Sequence, residues 1–171
     1  MKNRTGRNGF TLIELIIVIV ILGVLAVVAS PRFLDFSSDA KVASLKSIAS
    51  QMKSTVSLVQ AKARVVGLRA VSTNPNAGQV AYVVDFGFGT AEVDYRNLCP
   101  ESQAELGTQM QMLDFMQNTL SADISTRVDN QYTLIGYTVP SSGTPVNQGC
   151  YIVYDSFGSP NCTITLVTDD C

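Results

Sequence analysis

From Leu15 to Ala29 every residue is apolar or glycine, and this run limits what the chain can become more than any other feature. A helix begun at Phe10 and carried to Ser30 would hold about 21 residues. It would be roughly 30 Å long, the thickness of a hydrocarbon core. Ahead of it stands a short polar leader, Met1 to Gly9, with Lys2, Arg4 and Arg7 and no acid. Inside the first turn is one carboxylate, Glu14, where a charge is costly in lipid. A cleavable secretory signal would explain the basic end. However, Gly9 precedes the apolar run, and no Ala-x-Ala-like site closes it before Pro31. A plain signal anchor explains the length and the basic end, but neither Glu14 nor the Gly9–Phe10 junction.

The stretch Gly9-Phe10-Thr11-Leu12-Ile13-Glu14 resembles the class III signal of type IV prepilins and their relatives. The resemblance covers Arg7 to Arg32 and takes in Gly23 and Pro31, which match that family's helix-loosening Gly and kinking Pro. Ala29-Ser30-Pro31-Arg32-Phe33-Leu34, and the Lys/Ala-rich segment after it, resemble the mannose-sensitive haemagglutinin (MSHA) pilins in particular. That closer likeness fades after about Gly67. The resemblance implies that a prepilin peptidase cuts after Gly9 on the cytoplasmic side and methylates the new amine of Phe10. It also implies a single-pass precursor in the inner membrane of a Gram-negative bacterium. An assembly platform would then move identical subunits into an extracellular pilus.

Composition narrows the functions. Removing the leader takes 3 of the 12 basic residues and leaves 9 against 14 acids, a net charge near −5. A nucleic-acid partner is therefore not expected. His and Trp are absent, so histidine-based catalysis and histidine-ligated metal are excluded. No cofactor and no catalytic residue is read, and the chain is not expected to be an enzyme. Four cysteines, Cys99, Cys150, Cys162 and Cys171, all lie beyond the apolar run. On the exported side of a membrane an even count reads as two disulfides, and the spacings do not suit a zinc knuckle. Cys150 and Cys162 flank a turn-rich segment, so the reading favours that pair and leaves Cys99 with Cys171. The rival joins Cys150 to Cys171.

After the apolar run Pro31 interrupts the pattern, since proline removes a donor and clashes one turn back. A kink is expected there, with the helix resuming by about Asp35 or Ser38. Val42, Leu45, Ala49, Met52, Val56, Val59, Ala63 and Val66 recur at spacings of three and four, one apolar stripe of a helix. Gly67 is a natural stop. Gln79–Phe86, Tyr132–Val139, Cys150–Tyr154 and Cys162–Val167 read as strands, the last two as a hairpin. A short helix is expected from about Gly107 to Leu120. Gly87-Phe88-Gly89 reads as a turn, because a dinucleotide fingerprint needs a third glycine and a helix start. Asp85, Glu92 and Asp94 read as solvated acids, as do Asp169 and Asp170, and no metal site is assigned. Asn161-Cys162-Thr163 matches a glycosylation acceptor pattern, set aside because Cys162 is expected to be bonded.

The fold class that follows is α+β, a long kinked N-terminal helix packed on a small antiparallel sheet. Its parts are a leader 1–9, an apolar membrane and filament-core helix 10–31, an amphipathic half-helix 32–67, and a globular region 68–171. The function implied by the resemblance is a pilus subunit used for adhesion, surface attachment or motility. A type II secretion pseudopilin is the alternative within that assembly family. A membrane-anchored lectin-like protein or hydrolase is the alternative outside it, and the sequence offers neither Trp for sugar stacking nor a nucleophile–base pair. Glu14 carries the mechanism. Its own helix is expected to offer no partner, so its carboxylate would meet the Phe10 amine of its own subunit or the next.

Overall fold

The computed structural model describes residues 10–171, without the side chains of residues 28–35 and 77–78. The chain divides into two units, one ending at Asp39 and one running from Ala40 to Cys171. The first element, α1 (Leu12–Val65), contributes to both. Helical backbone continues through Gly23 and Pro31, where the pattern suggested an interruption. A single proline removes one rung, and the ladder on either side carries the helix past it.

In the first unit every described side chain from Phe10 to Val27 is exposed. Leu12 is 75% accessible and Val24 62%. From Leu15 to Val27 the helix is apolar or glycine on all sides, and none of the described residues buries it. Among the described residues no helix is long and apolar enough to cross a membrane. The apolar stretch with described side chains, Leu15 to Val27, holds 13 residues, or about 20 Å of helix.

In the second unit α1 behaves as an amphipathic helix. Leu45, Ala49, Met52, Val56, Val59 and Ala63 are buried as the stripe predicts, and Ile48 joins them. Val66 does not: it lies past the helix end and is 55% exposed. The end is a Schellman cap. Leu68 donates its N–H to Ala63 O at 2.9 Å and Gly67 donates to Arg64 O at 3.1 Å. Gly67 adopts φ +93°, which a side chain would strain.

A 3-10 turn (Asn76–Ala81) leads into the hairpin of β1 (Val83–Asp85) and β2 (Thr90–Glu92). The expected strand from Gln79 therefore starts late, because its first three residues close the 3-10 turn. The short helix α2 (Met112–Met116) begins at a capping box in which Gln111 and Asp114 satisfy each other. It runs on into a 3-10 turn, Gln117–Thr119, so the predicted helix is right at its end and too long at its start.

The second sheet is an antiparallel meander, β3 (Ser125–Val128), β4 (Tyr132–Thr138), β5 (Cys150–Asp155) and β6 (Thr163–Val167), in that spatial order. Strand β3 was not foreseen in Ser-Thr-Arg-Val. One sheet face meets α1: Ile135, Ile152 and Tyr154 pack with Leu45, Met52 and Val56. The other face holds Leu134, Tyr151 and Val167. The loop before β5 covers that face, where Tyr151 Oη donates to Val146 O at 2.6 Å. Burial on both faces explains the near-continuous apolar run of β5. At Gly136 an added Cβ would lie 2.3 Å from Cys150 O, so the two central strands need glycine there. The α+β class read from the pattern, a helix on antiparallel strands, is the one observed.

The disulfides join Cys99 to Cys162 and Cys150 to Cys171. The favoured Cys150–Cys162 pair is thus corrected, with its partner pair Cys99–Cys171. The reason is register. Tyr151 faces Val167 and Asp155 faces Thr163, so Cys150 and Cys162 lie at opposite ends of the β5–β6 hairpin. Five or six residues of strand separate them, about 17–20 Å, far beyond the reach of a disulfide.

Candidate functional site

The first candidate is the start of α1. Thr11 precedes the first helical residue and Glu14 is the third residue of the helix. Glu14 Oε2 accepts the Thr11 N–H at 2.8 Å and the Thr11 hydroxyl at 2.8 Å, while Glu14 N–H points back at Thr11 Oγ1 at 3.4 Å. This is a reciprocal capping box, and Thr-x-x-Glu is its sequence signature. The expectation that Glu14 has no partner in its own helix is corrected: Thr11, part of the Gly9–Glu14 motif, is that partner. One carboxylate oxygen takes both hydrogen bonds. Oε1 has none among the described residues, and the side chain is exposed. Phe10 is 90% accessible. Gly9 and the basic leader lie outside the described residues.

Gly23 is in the exposed apolar helix, and a Cβ built on it would meet nothing within 4 Å. Packing within the chain therefore does not call for glycine there. Pro31 is helical, and its side chain is outside those described.

A second cluster was misread from the sequence. Asp85 is exposed as expected, but Glu92 and Asp94 are buried, together with Glu101. The backbone explains why. Val93 bridges to Pro100, with Asp94 N–H on Cys99 O at 2.8 Å and Glu101 N–H on Glu92 O at 3.0 Å. The loop between them folds the three acids inward. Glu92 Oε2 accepts the N–H of Glu105 at 2.8 Å and of Leu106 at 3.3 Å. Asp94 pairs with Arg96, whose guanidinium lies between the rings of Tyr95 at 4.4 Å and Phe157 at 4.3 Å. Glu101 Oε2 has no hydrogen-bond partner among the described residues. Burial first, then repulsion from Asp94, Glu105 and Glu92, pushes the Glu101 carboxyl up to about 9. Glu101 thus holds a proton at neutral pH; burial also raises the Asp94 carboxyl, against the opposing pull of Arg96. Among the described residues no group of His, Cys, Asp and Glu is arranged to hold a metal ion.

The helix is pinned to this region by Gln60, 7% exposed in an otherwise apolar stripe. Its Nε2 donates to Asn97 O at 2.9 Å and to Asn161 Oδ1 at 2.6 Å, beside the Cys99–Cys162 bridge.

Comparison with known proteins bears on the first of these sites. Residues 4–30 match the family described as the prokaryotic N-terminal methylation motif. The chain is similar to the type IV narrow pilus major component PilA5 of Thermus thermophilus, 41% identical over 75 residues. That alignment spans 43% of this chain and 64% of the Thermus protein, less than two thirds of its length. No solved structure matches the chain.

Proposed function

We propose that this chain is a type IV pilin, a structural subunit that polymerises through its N-terminal helix into a surface filament. The observation that carries the reading is the exposed helix, apolar or glycine from Leu15 to Val27, opened by the Thr11–Glu14 box, within a match to the methylation motif over residues 4–30. A helix apolar on every side needs lipid or other helices around it. Before assembly lipid would serve; in a filament, copies of the same helix would. The likeness to a Thermus pilus component supports the same reading.

In this account residues 1–9 are the leader removed after Gly9, and 10–31 are the anchor and filament core. Residues 32–67 are the second half of the spine, and 68–171 the surface region. Prepilin peptidase, the inner membrane, an assembly platform and identical subunits are the partners. Glu14 keeps its Thr11 contacts in the precursor and offers Oε1 to a Phe10 amine once cleavage creates one. Gly23 and Pro31 would loosen the helix on assembly, since glycine is a poor helix residue and proline lacks a donor. The MSHA-like character, with adhesion or surface attachment as the use, rests on the Ala29–Leu34 likeness. The test is to shear material from the cell surface, image it, and identify the subunit by mass. Filaments built of this chain are expected; its absence from all surface filaments would defeat the reading.

A further inference from the structure

Charge in the unit Ala40–Cys171 is divided between its elements. It has eight basic and eleven acidic residues. Six of the bases, Lys41, Lys46, Lys53, Lys62, Arg64 and Arg69, lie on α1 or within a few residues of its end, and that length of α1 carries no acid. The other two, Arg96 and Arg127, are ion-paired with Asp94 and Asp129. Of the helix bases, Lys41 reaches Cys171 O at 3.3 Å and the Tyr137 ring, and Lys62 lies over Phe86. Lys46 and Lys53 are exposed and have no acid or aromatic partner among the described residues. They are seven residues apart, two helical turns, and lie together on one flank of the core stripe, each next to a buried residue, Leu45 and Met52.

The acids sort in the same way. Asp85, Glu105 and Asp123 are exposed but engaged, accepting from Gly87 N–H, Gln79 and Ser121. Asp169 and Asp170 are exposed, and neither side chain has a hydrogen bond or ion pair among the described residues. Their position is fixed. Cys171 is bonded to Cys150, its carbonyl meets Lys41, and Asp170 N–H donates to Gly149 O at 3.1 Å. The acid pair is therefore held at the level of Lys41. Lys46 and Lys53 lie 5 and 12 residues further along the helix, about 7.5 and 18 Å away.

We infer that Lys46 and Lys53 are the docking face for the Asp169–Asp170 segment of a second copy of this chain. That copy is displaced along α1, toward its C-terminal end, by roughly 8–18 Å. The contact joins two different surfaces of identical molecules under a translation. It is heterologous and does not close, so it propagates. It rests on the filament reading and adds to it which outer charges set the stagger between neighbours.

The test uses the full chain in its host, reading sheared filament against membrane subunit. Lys46→Glu with Lys53→Glu should lower that ratio about fivefold or more, as should Asp169→Lys with Asp170→Lys. All four changes together should restore most of it. The milder Lys46→Gln with Lys53→Gln, which keeps the fold and the disulfides, should yield filaments whose assembly no longer weakens with added salt. Wild-type yield from either reversed pair, or a fourfold variant no better than its parents, would overturn the contact. If the unaltered chain forms no filament at all, the filament reading fails and this contact with it.

Discussion

Thr11 and Glu14 show how one carboxylate can be held in an apolar helix before it has a charged partner. The backbone N–H and the hydroxyl of Thr11 both point at Oε2. Glu14→Gln keeps the size and a carbonyl acceptor but removes the charge. The Ala40–Cys171 unit should fold unchanged, while filament yield at equal subunit level falls sharply. A normal yield would show that the charge is dispensable. Thr11→Ala should leave Glu14 charged but loosely placed and give a smaller loss of filament. Glu101 makes a separate prediction. Its carboxyl is raised from the ordinary 4.5 to about 9 in the folded chain. The folded state therefore binds a proton there that the unfolded chain has already lost. The stability tied to this proton is fully present below about pH 4.5. It declines toward pH 9 at about 1.4 kcal/mol per pH unit, moderated where solvent reaches the site. Glu101→Gln should flatten the decline, so its melting temperature should exceed that of the wild type by more at pH 8.5 than at pH 5. An equal difference at both pH values would contradict the buried, protonated assignment.

Among the elements, those with a strong period were legible and those made by long-range contacts were not. The stripe from Leu45 to Ala63 announced the second half of α1, and Gly67 its end. Strands β4, β5 and β6 came through in Tyr, Val and Ile runs with turn residues between. The strand β3 was missed because Ser125, Thr126 and Arg127 look polar, and a strand at a sheet edge needs only one covered face. Glu92 and Asp94 were misjudged because burial there depends on the bridge from Val93 to Pro100, which no local pattern encodes. The Thr11–Glu14 box is legible as Thr-x-x-Glu at the start of the apolar helix. Disulfide pairing follows from the antiparallel register of the β5–β6 hairpin, which sets Cys150 and Cys162 at opposite ends. Peptide mapping without reduction should return Cys99–Cys162 and Cys150–Cys171. The first bridge spans 63 residues and the second 21. In the chain-entropy account, losing the first should cost about 1 kcal/mol more than losing the second.

The molecule combines a helix that the described residues leave uncovered with a small disulfide-bonded α+β unit. That helix carries an unmet demand for burial, from Leu15 to Val27 on every side. A motif for N-terminal methylation over residues 4–30 lies across that segment. The central claim is that this helix is released by a cut after Gly9 and then packed among copies of itself. The measurement that tests it most directly is the N-terminal mass of the subunit recovered from sheared surface filaments. The account predicts a chain beginning at Phe10 and heavier by one methyl group. A filament subunit that starts at Met1, or anywhere beyond Ala29, would contradict it.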